Sequence, residues 1–162
     1  MKNYPIYAAI AAAAIAFGLF TYISGALSYA GTAASTCNSC HVMDGQYENW
    51  YHAAHADSTV CVECHLPHDN LVSYYVAKAR TGLHDVYFFS TGQTPQMIRA
   101  KPDTVKYIQA NCVRCHRPTV ENILSGPQAF DRNCWDCHRS VAHGARGISI
   151  VPVQDAMLYP TK

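Results

Sequence analysis

Cys37-Asn38-Ser39-Cys40-His41, Cys61-Val62-Glu63-Cys64-His65, Cys112-Val113-Arg114-Cys115-His116 and Cys134-Trp135-Asp136-Cys137-His138 are four copies of one pentapeptide, and together they use every cysteine in the chain. Cys-x-x-Cys-His is the attachment pattern of c-type haem. The two thiols add across the vinyl groups of one porphyrin, and the adjacent imidazole reaches the iron. A single Cys-x-x-Cys pair would also suit a zinc knuckle or a redox disulfide. With His at 9 of 162 positions, composition alone would place one after all four pairs with a probability on the order of 10⁻⁵. The chain is therefore read as a scaffold for four covalent haems c, held by Cys37 and Cys40, Cys61 and Cys64, Cys112 and Cys115, and Cys134 and Cys137.

Length agrees with a haem scaffold. Setting aside an apolar N-terminal segment leaves about 125 residues, or about 30 per haem, too few to bury a large side-chain core. The porphyrins must supply much of the packing surface, and the five Phe, two Trp and eleven Tyr are read first as porphyrin-packing residues. The formal charge of +1 omits the propionates that each haem brings. Arg80, Arg99, Lys101, Lys106, Arg114, Arg117, Arg132, Arg139 and Arg146 are the expected counter-charges. Basic groups so dispersed, with an internal use, do not make a nucleic-acid surface, and no such partner is expected. The chain also shows no phosphate loop, nucleotide fingerprint or nucleophile motif, so hydrolytic and nicotinamide chemistry are not expected.

From Asn3 to Val42 there is no Asp, Glu, Lys or Arg, and Ile6 to Tyr29 is dominated by Ala, Ile, Leu, Phe and Tyr. A helix of that length spans a hydrocarbon core of about 30 Å. The apolar run exceeds a usual signal-peptide core, so an uncleaved signal anchor over residues 1–33 is expected in preference to a cleaved signal ending near Tyr29-Ala30-Gly31 or Thr32-Ala33-Ala34. Lys2 is the only charge on the short N-terminal side. The positive-inside rule keeps it in the cytoplasm and points the tetrahaem domain, residues 34–162, into the periplasm. The expected fold class is mainly α with little regular secondary structure: one transmembrane helix in the cytoplasmic membrane and a small multihaem domain.

The motifs are separated by residues 42–60, 66–111 and 117–133, which suggests haems in two pairs with one longer insert. Within the insert, Leu71, Tyr74, Tyr75, Lys78, Gly82 and Asp85 recur every three or four positions, the pattern of a helix over 70–90. Gly92, Pro95 and Pro102 mark the loop that follows. Iron ligands are bounded by counting. His65, His116 and His138 are motif ligands, and five further histidines remain: His52, His55, His68, His84 and His143. His143, five residues after His138, is expected to be a distal ligand. His52 and His55 precede motif two by similar distances, so one of them is expected, and His55 is preferred. His68 sits too close to His65 to reach the opposite face of the same haem and is left to another haem or to a propionate. His84 is expected to be polar lining.

Motif one continues as His41-Val42-Met43, placing a soft thioether two residues past the histidine and just beyond the anchor. One N-terminal membrane helix, four haem motifs, a small exterior domain and this Cys-x-x-Cys-His-x-Met form resemble the NapC/NirT family of quinol dehydrogenases. Within it they are most like the small-subunit branch that serves cytochrome c nitrite reductases. The resemblance covers essentially the whole chain, including Cys64-His65-Leu66-Pro67-His68.

That resemblance implies a membrane-anchored quinol dehydrogenase that oxidises menaquinol and passes electrons to the multihaem catalytic subunit of an ammonia-forming nitrite reductase. It implies Met43, in place of His41, as the protein ligand of the first haem. It leaves the other face open or blocked by a carboxylate, which Asp85 matches, and implies Lys78 as the quinone-site lysine, the two being the catalytic candidates. The family further implies a partner-supplied lysine at the second haem, leaving His143 and His55 for the third and fourth. The alternatives are a sister quinol dehydrogenase feeding another periplasmic reductase, and a passive membrane electron carrier that never touches quinol.

Overall fold

The computed structural model describes residues 3–95, 97–127 and 130–144; Arg146, among the expected counter-charges, lies outside them. The described residues are helical and contain no strand, the expected class. Helix α1 (Tyr4–Ile23) opens with proline in its first turn, where the missing N–H costs nothing. Its 20 residues extend about 30 Å, and none of its side chains is buried. A long apolar helix that none of the described protein buries is suited to lipid rather than to a protein core. Gly25, at φ 63°, takes the left-handed turn that closes this segment. A 3₁₀ turn over Ala26–Ala30 follows.

Short helices then present the motifs. Helix α2 (Ala34–Cys37) delivers the first cysteine, and a 3₁₀ turn (His41–Met43) runs straight into α3 (Asp44–Tyr51). Helix α4 (Cys61–His65) is motif two itself. The expected helix over 70–90 is α5 (Leu71–Ser90): the Asn70 side chain accepts from the Ser73 amide at 2.9 Å to start it, and Gly92 at φ 67° turns the chain after it. Pro102 opens α6 (Pro102–Leu124), with Asp103 in the first turn favourably placed against the helix dipole. Helix α7 (Cys134–Cys137) begins with a reciprocal capping box between Asn133 and Asp136. Motif three differs from the other three in lying inside the long helix α6. Cysteines at i and i+3 and a histidine at i+4 share one helix face, so the same chemistry fits a single turn or a longer helix.

The buried side chains of the described residues are few: Ala34, Val62 and Leu66 with Asn49, Thr104 and Asn111. Val62, Leu66 and Asn111 lie where α4 packs on α6. Asn111 of α6 donates its amide to the carbonyls of Cys64 (3.0 Å) and Leu66 (2.7 Å), tying motif two to motif three. Arg114, one turn on, reaches the Glu63 carboxylate at 2.9 Å. Gln109 accepts from the Cys134 amide at 3.0 Å and brings motif four to the same helix. Thus α6 organises three of the four motifs through polar side chains, because too few apolar ones are available to do so.

Candidate functional site

The first cysteines of neighbouring motifs meet. The Cys37 and Cys61 side chains are hydrogen-bonded to one another. The Cys112 and Cys134 side chains are likewise in contact. Motif one therefore abuts motif two, and motif three abuts motif four. Beside α6 lies an open cavity of about 510 Å³ lined by Val105, Gln109, Ala110, Val113 and Asn133, with Lys106 and Arg117 at its margin. Apolar walls with two cations suit a porphyrin and its propionates, and both cations are among the expected counter-charges.

The histidines sort themselves into two opposed pairs. The rings of His55 and His116 have centroids 6.0 Å apart, as do those of His65 and His143. A metal–nitrogen bond of about 2 Å on each side, added to the ring radii, requires about 6 Å, so each pair has room for one iron between two imidazoles. The protonation states agree. His55 donates its Nδ1–H to the Val141 carbonyl (3.1 Å) and His143 donates its own to the Gln46 carbonyl (3.0 Å). In the neutral tautomer this leaves Nε2 as the bare ligand atom. Burial, followed by repulsion from His143, lowers His65 to about 4, and burial also lowers His143 despite the Gln46 bond. Metal ligation needs the neutral imidazole, and this environment provides it.

This pairing differs from one expectation. His65 was to await a ligand from a partner, yet His143 lies opposite it, while His55 faces His116. Among the described residues no second imidazole ring faces His138. The reason is tertiary: the turn at Val141–His143 folds back onto residues 46–55, held by the two crossed histidine–carbonyl bonds. The other spare histidines have other partners. His52 bonds Glu48 at 3.1 Å on the surface, His68 bonds the Val62 carbonyl at 3.3 Å beside the Tyr74 ring, and His84 bonds Asp85 at 3.1 Å and stacks on Phe88.

At motif one, the His41 side chain is 84% exposed and turned to Asp44 at 3.4 Å, whereas Met43 is half-buried. Lys78 lies nearby. Its ammonium donates to the carbonyls of Ala30 (3.2 Å) and Gly31, where the chain leaves the apolar segment, and rides over the Tyr74 ring. Burial lowers its pKa. Asp85, two turns along α5, has separate partners: Lys101 at 2.8 Å and His84 at 3.1 Å, both on Oδ1. The structure thus keeps the two expected catalytic residues on one helix but gives each its own contacts. Sequence reasoning missed the positioning groups Asn111, Gln109 and the carbonyls of Gln46 and Val141. Backbone acceptors carry no signal in side-chain identity, and the two amides look like any polar helix residue.

The model of the NapC/NirT cytochrome c family, N-terminal region, matches residues 2–147. The chain is 37% identical over 165 residues to the cytochrome c-type protein NrfH of Wolinella succinogenes, covering 93% of each protein. It is 36% identical over 107 residues to the cytochrome c nitrite reductase subunit NrfH of Nitratidesulfovibrio vulgaris, covering 66% of this chain and 65% of the relative. The fold is similar, with a TM-score of 0.62 and 28% identity, to a chain of the crystal structure of the cytochrome c nitrite reductase NrfHA complex bound to the HQNO inhibitor, covering 87% of this chain and 94% of that one.

Proposed function

Since the chain belongs to the NapC/NirT cytochrome c family, we propose that it is the membrane-anchored tetrahaem subunit of an ammonia-forming cytochrome c nitrite reductase, oxidising menaquinol and passing the electrons to a multihaem catalytic partner. The α1 helix holds it in the cytoplasmic membrane with the haem domain, residues 34–162, on the periplasmic side. The haems attached at the eight cysteines supply one-electron transfer when bound.

The observation that carries the quinol reading is the seat of Lys78. Its ammonium sits where the chain leaves the apolar segment and next to Cys37 of motif one, where a lipid-borne quinol would first meet a redox centre. Oxidation of a quinol releases two electrons and two protons, and the protons need acceptors of their own. Lys78 orients a quinol oxygen by hydrogen bonding. Asp85 accepts a proton, with Lys101 and His84 holding its carboxylate and His84 positioned to take the proton onward. The half-buried Met43 and the outward-turned His41 support the thioether as ligand at motif one. The opposed pairs support His65 with His143 and His116 with His55. That pairing supports moving the partner's ligand, expected at the second haem, to His138, with motif four as the exit to the partner.

The test is stopped-flow haem reduction of the detergent-purified chain by a menaquinol analogue. Fast reduction that collapses in Lys78→Ala and Asp85→Asn, with unchanged spectra, is expected. A wild type reduced by dithionite but not by quinol would instead make the chain a passive carrier.

A further inference from the structure

Helix α5 has a face that no described part of the protein covers. Projected at 100° per residue, Val72, Tyr75, Val76, Leu83, Val86 and Tyr87 fall within an arc of roughly 120°. All six are exposed, Val72 at 73% and Leu83 at 72%. The arc contains no charged residue over about 22 Å of helix, with a tyrosine at each margin. The opposite side carries Tyr74, Lys78 and Phe88, which turn inward. Motifs one and two approach α5 from that opposite side, where Cys37 and Glu63 act on Tyr74 and Cys37 acts on Lys78. The attachment point of motif one, Cys37, is therefore on the far side from the apolar arc.

We propose that this face of α5 lies in the outer leaflet of the bilayer as an interfacial helix, a second membrane contact beyond α1. The occupant is lipid because the face continues from the anchor. Lys78 ties the middle of α5 to Ala30 and Gly31, the backbone emerging from the 3₁₀ turn that follows α1. A helix bound there cannot rise far from the surface that α1 enters. Its makeup suits that position, with an uninterrupted apolar arc, tyrosines at the margins and Lys78, Arg80, His84 and Asp85 kept to the other sides. The contact rests on the membrane-anchored reading. It would hold Lys78 within one helix diameter of the acyl chains, so that quinol need not leave the bilayer to reach it.

The experiment places the full-length haem-loaded chain in phosphatidylethanolamine–phosphatidylglycerol vesicles containing a phospholipid with a diazirine on its acyl chain, followed by photolysis and peptide mapping. Residues 72–87 should take up label within about threefold of α1 and roughly tenfold above α6. Leu83→Glu together with Val76→Glu should cut labelling of that segment about tenfold with haem spectra and α1 labelling unchanged. Labelling of α1 with α5 at the level of α6 overturns the proposal. Labelling needs no quinol. A chain that labels on α5 but is not reduced by quinol would therefore lose its dehydrogenase role and keep this contact.

Discussion

The imidazoles of His65 and His143 face each other with centroids 6.0 Å apart, and the outer ring is fixed by its Nδ1–H bond to the Gln46 carbonyl at 3.0 Å. His55 and His116 repeat the arrangement, with Val141 as the fixing carbonyl. The residue that orients one outer histidine thus lies two positions from the other, and the turn at 141–143 serves both pairs at once.

Replacing His143 or His55 with alanine should each convert one haem, about a quarter of the total, from six-coordinate low-spin to high-spin. Electron paramagnetic resonance of the oxidised protein reads this directly. An unchanged low-spin count in either variant would remove that histidine from the ligand set.

Met43→Ala should alter the spectrum and lower the potential of one haem, because a soft thioether favours the reduced iron. His41→Ala, at a side chain turned outward to Asp44, should leave ligation of the assembled protein unchanged. Redox titration followed optically distinguishes them, and the reverse pattern would return the role to His41.

Lys78→Met should slow reduction by a menaquinol analogue by about 10²-fold, within the range of a lost acid–base group, and leave dithionite reduction unaffected. Burial lowers the pKa of this ammonium. Its charged form is present below that value and is lost as pH rises through it, so the quinol-dependent rate should fall on an alkaline limb that begins below the ordinary lysine range. The limb should disappear in the variant.

Lys101→Met is expected to separate stability from function. The ion pair with Asp85 is largely open to solvent, Asp85 at 61%, and such pairs contribute about 0–1 kcal/mol. The melting temperature should therefore hardly move, while quinol-dependent reduction drops as Asp85 loses the group that positions it. A large fall in melting temperature with normal kinetics would make the pair structural.

Asn111→Ala removes a buried double donor and strands the Cys64 and Leu66 carbonyls. The cost should be about 2–3 kcal/mol, or a melting temperature lower by roughly 4–12 °C for a chain of this size. Calorimetry of the holoprotein measures it, and a shift near zero would mean the packing of α4 on α6 rests on the haems instead.

How much of this was legible beforehand depended on distance along the chain. The α5 helix could be read from Leu71, Tyr74, Lys78 and Asp85, since helical periodicity is local. The five spare histidines could be counted but not assigned. His55 and His143 are the preferred distal candidates from the sequence, and the fold sets their rings 6.0 Å from those of His116 and His65, a pairing their positions along the chain do not reveal. Lys78 and Asp85 could be placed on one helix, but nothing in their spacing announced the Ala30 and Gly31 carbonyls or Lys101.

By itself the sequence determined the four haem attachments, the apolar anchor and the helical class, because each is written in residues within one or two turns of one another and follows from covalent chemistry or from hydropathy. Only the tertiary structure decided which histidines oppose which, which amides join the motifs through α6, and which face of α5 is left for the membrane. Those are meetings of residues tens of positions apart, and they are set by how the turn at 141–143 and the helix at 102–124 close on the motifs, which no local pattern encodes.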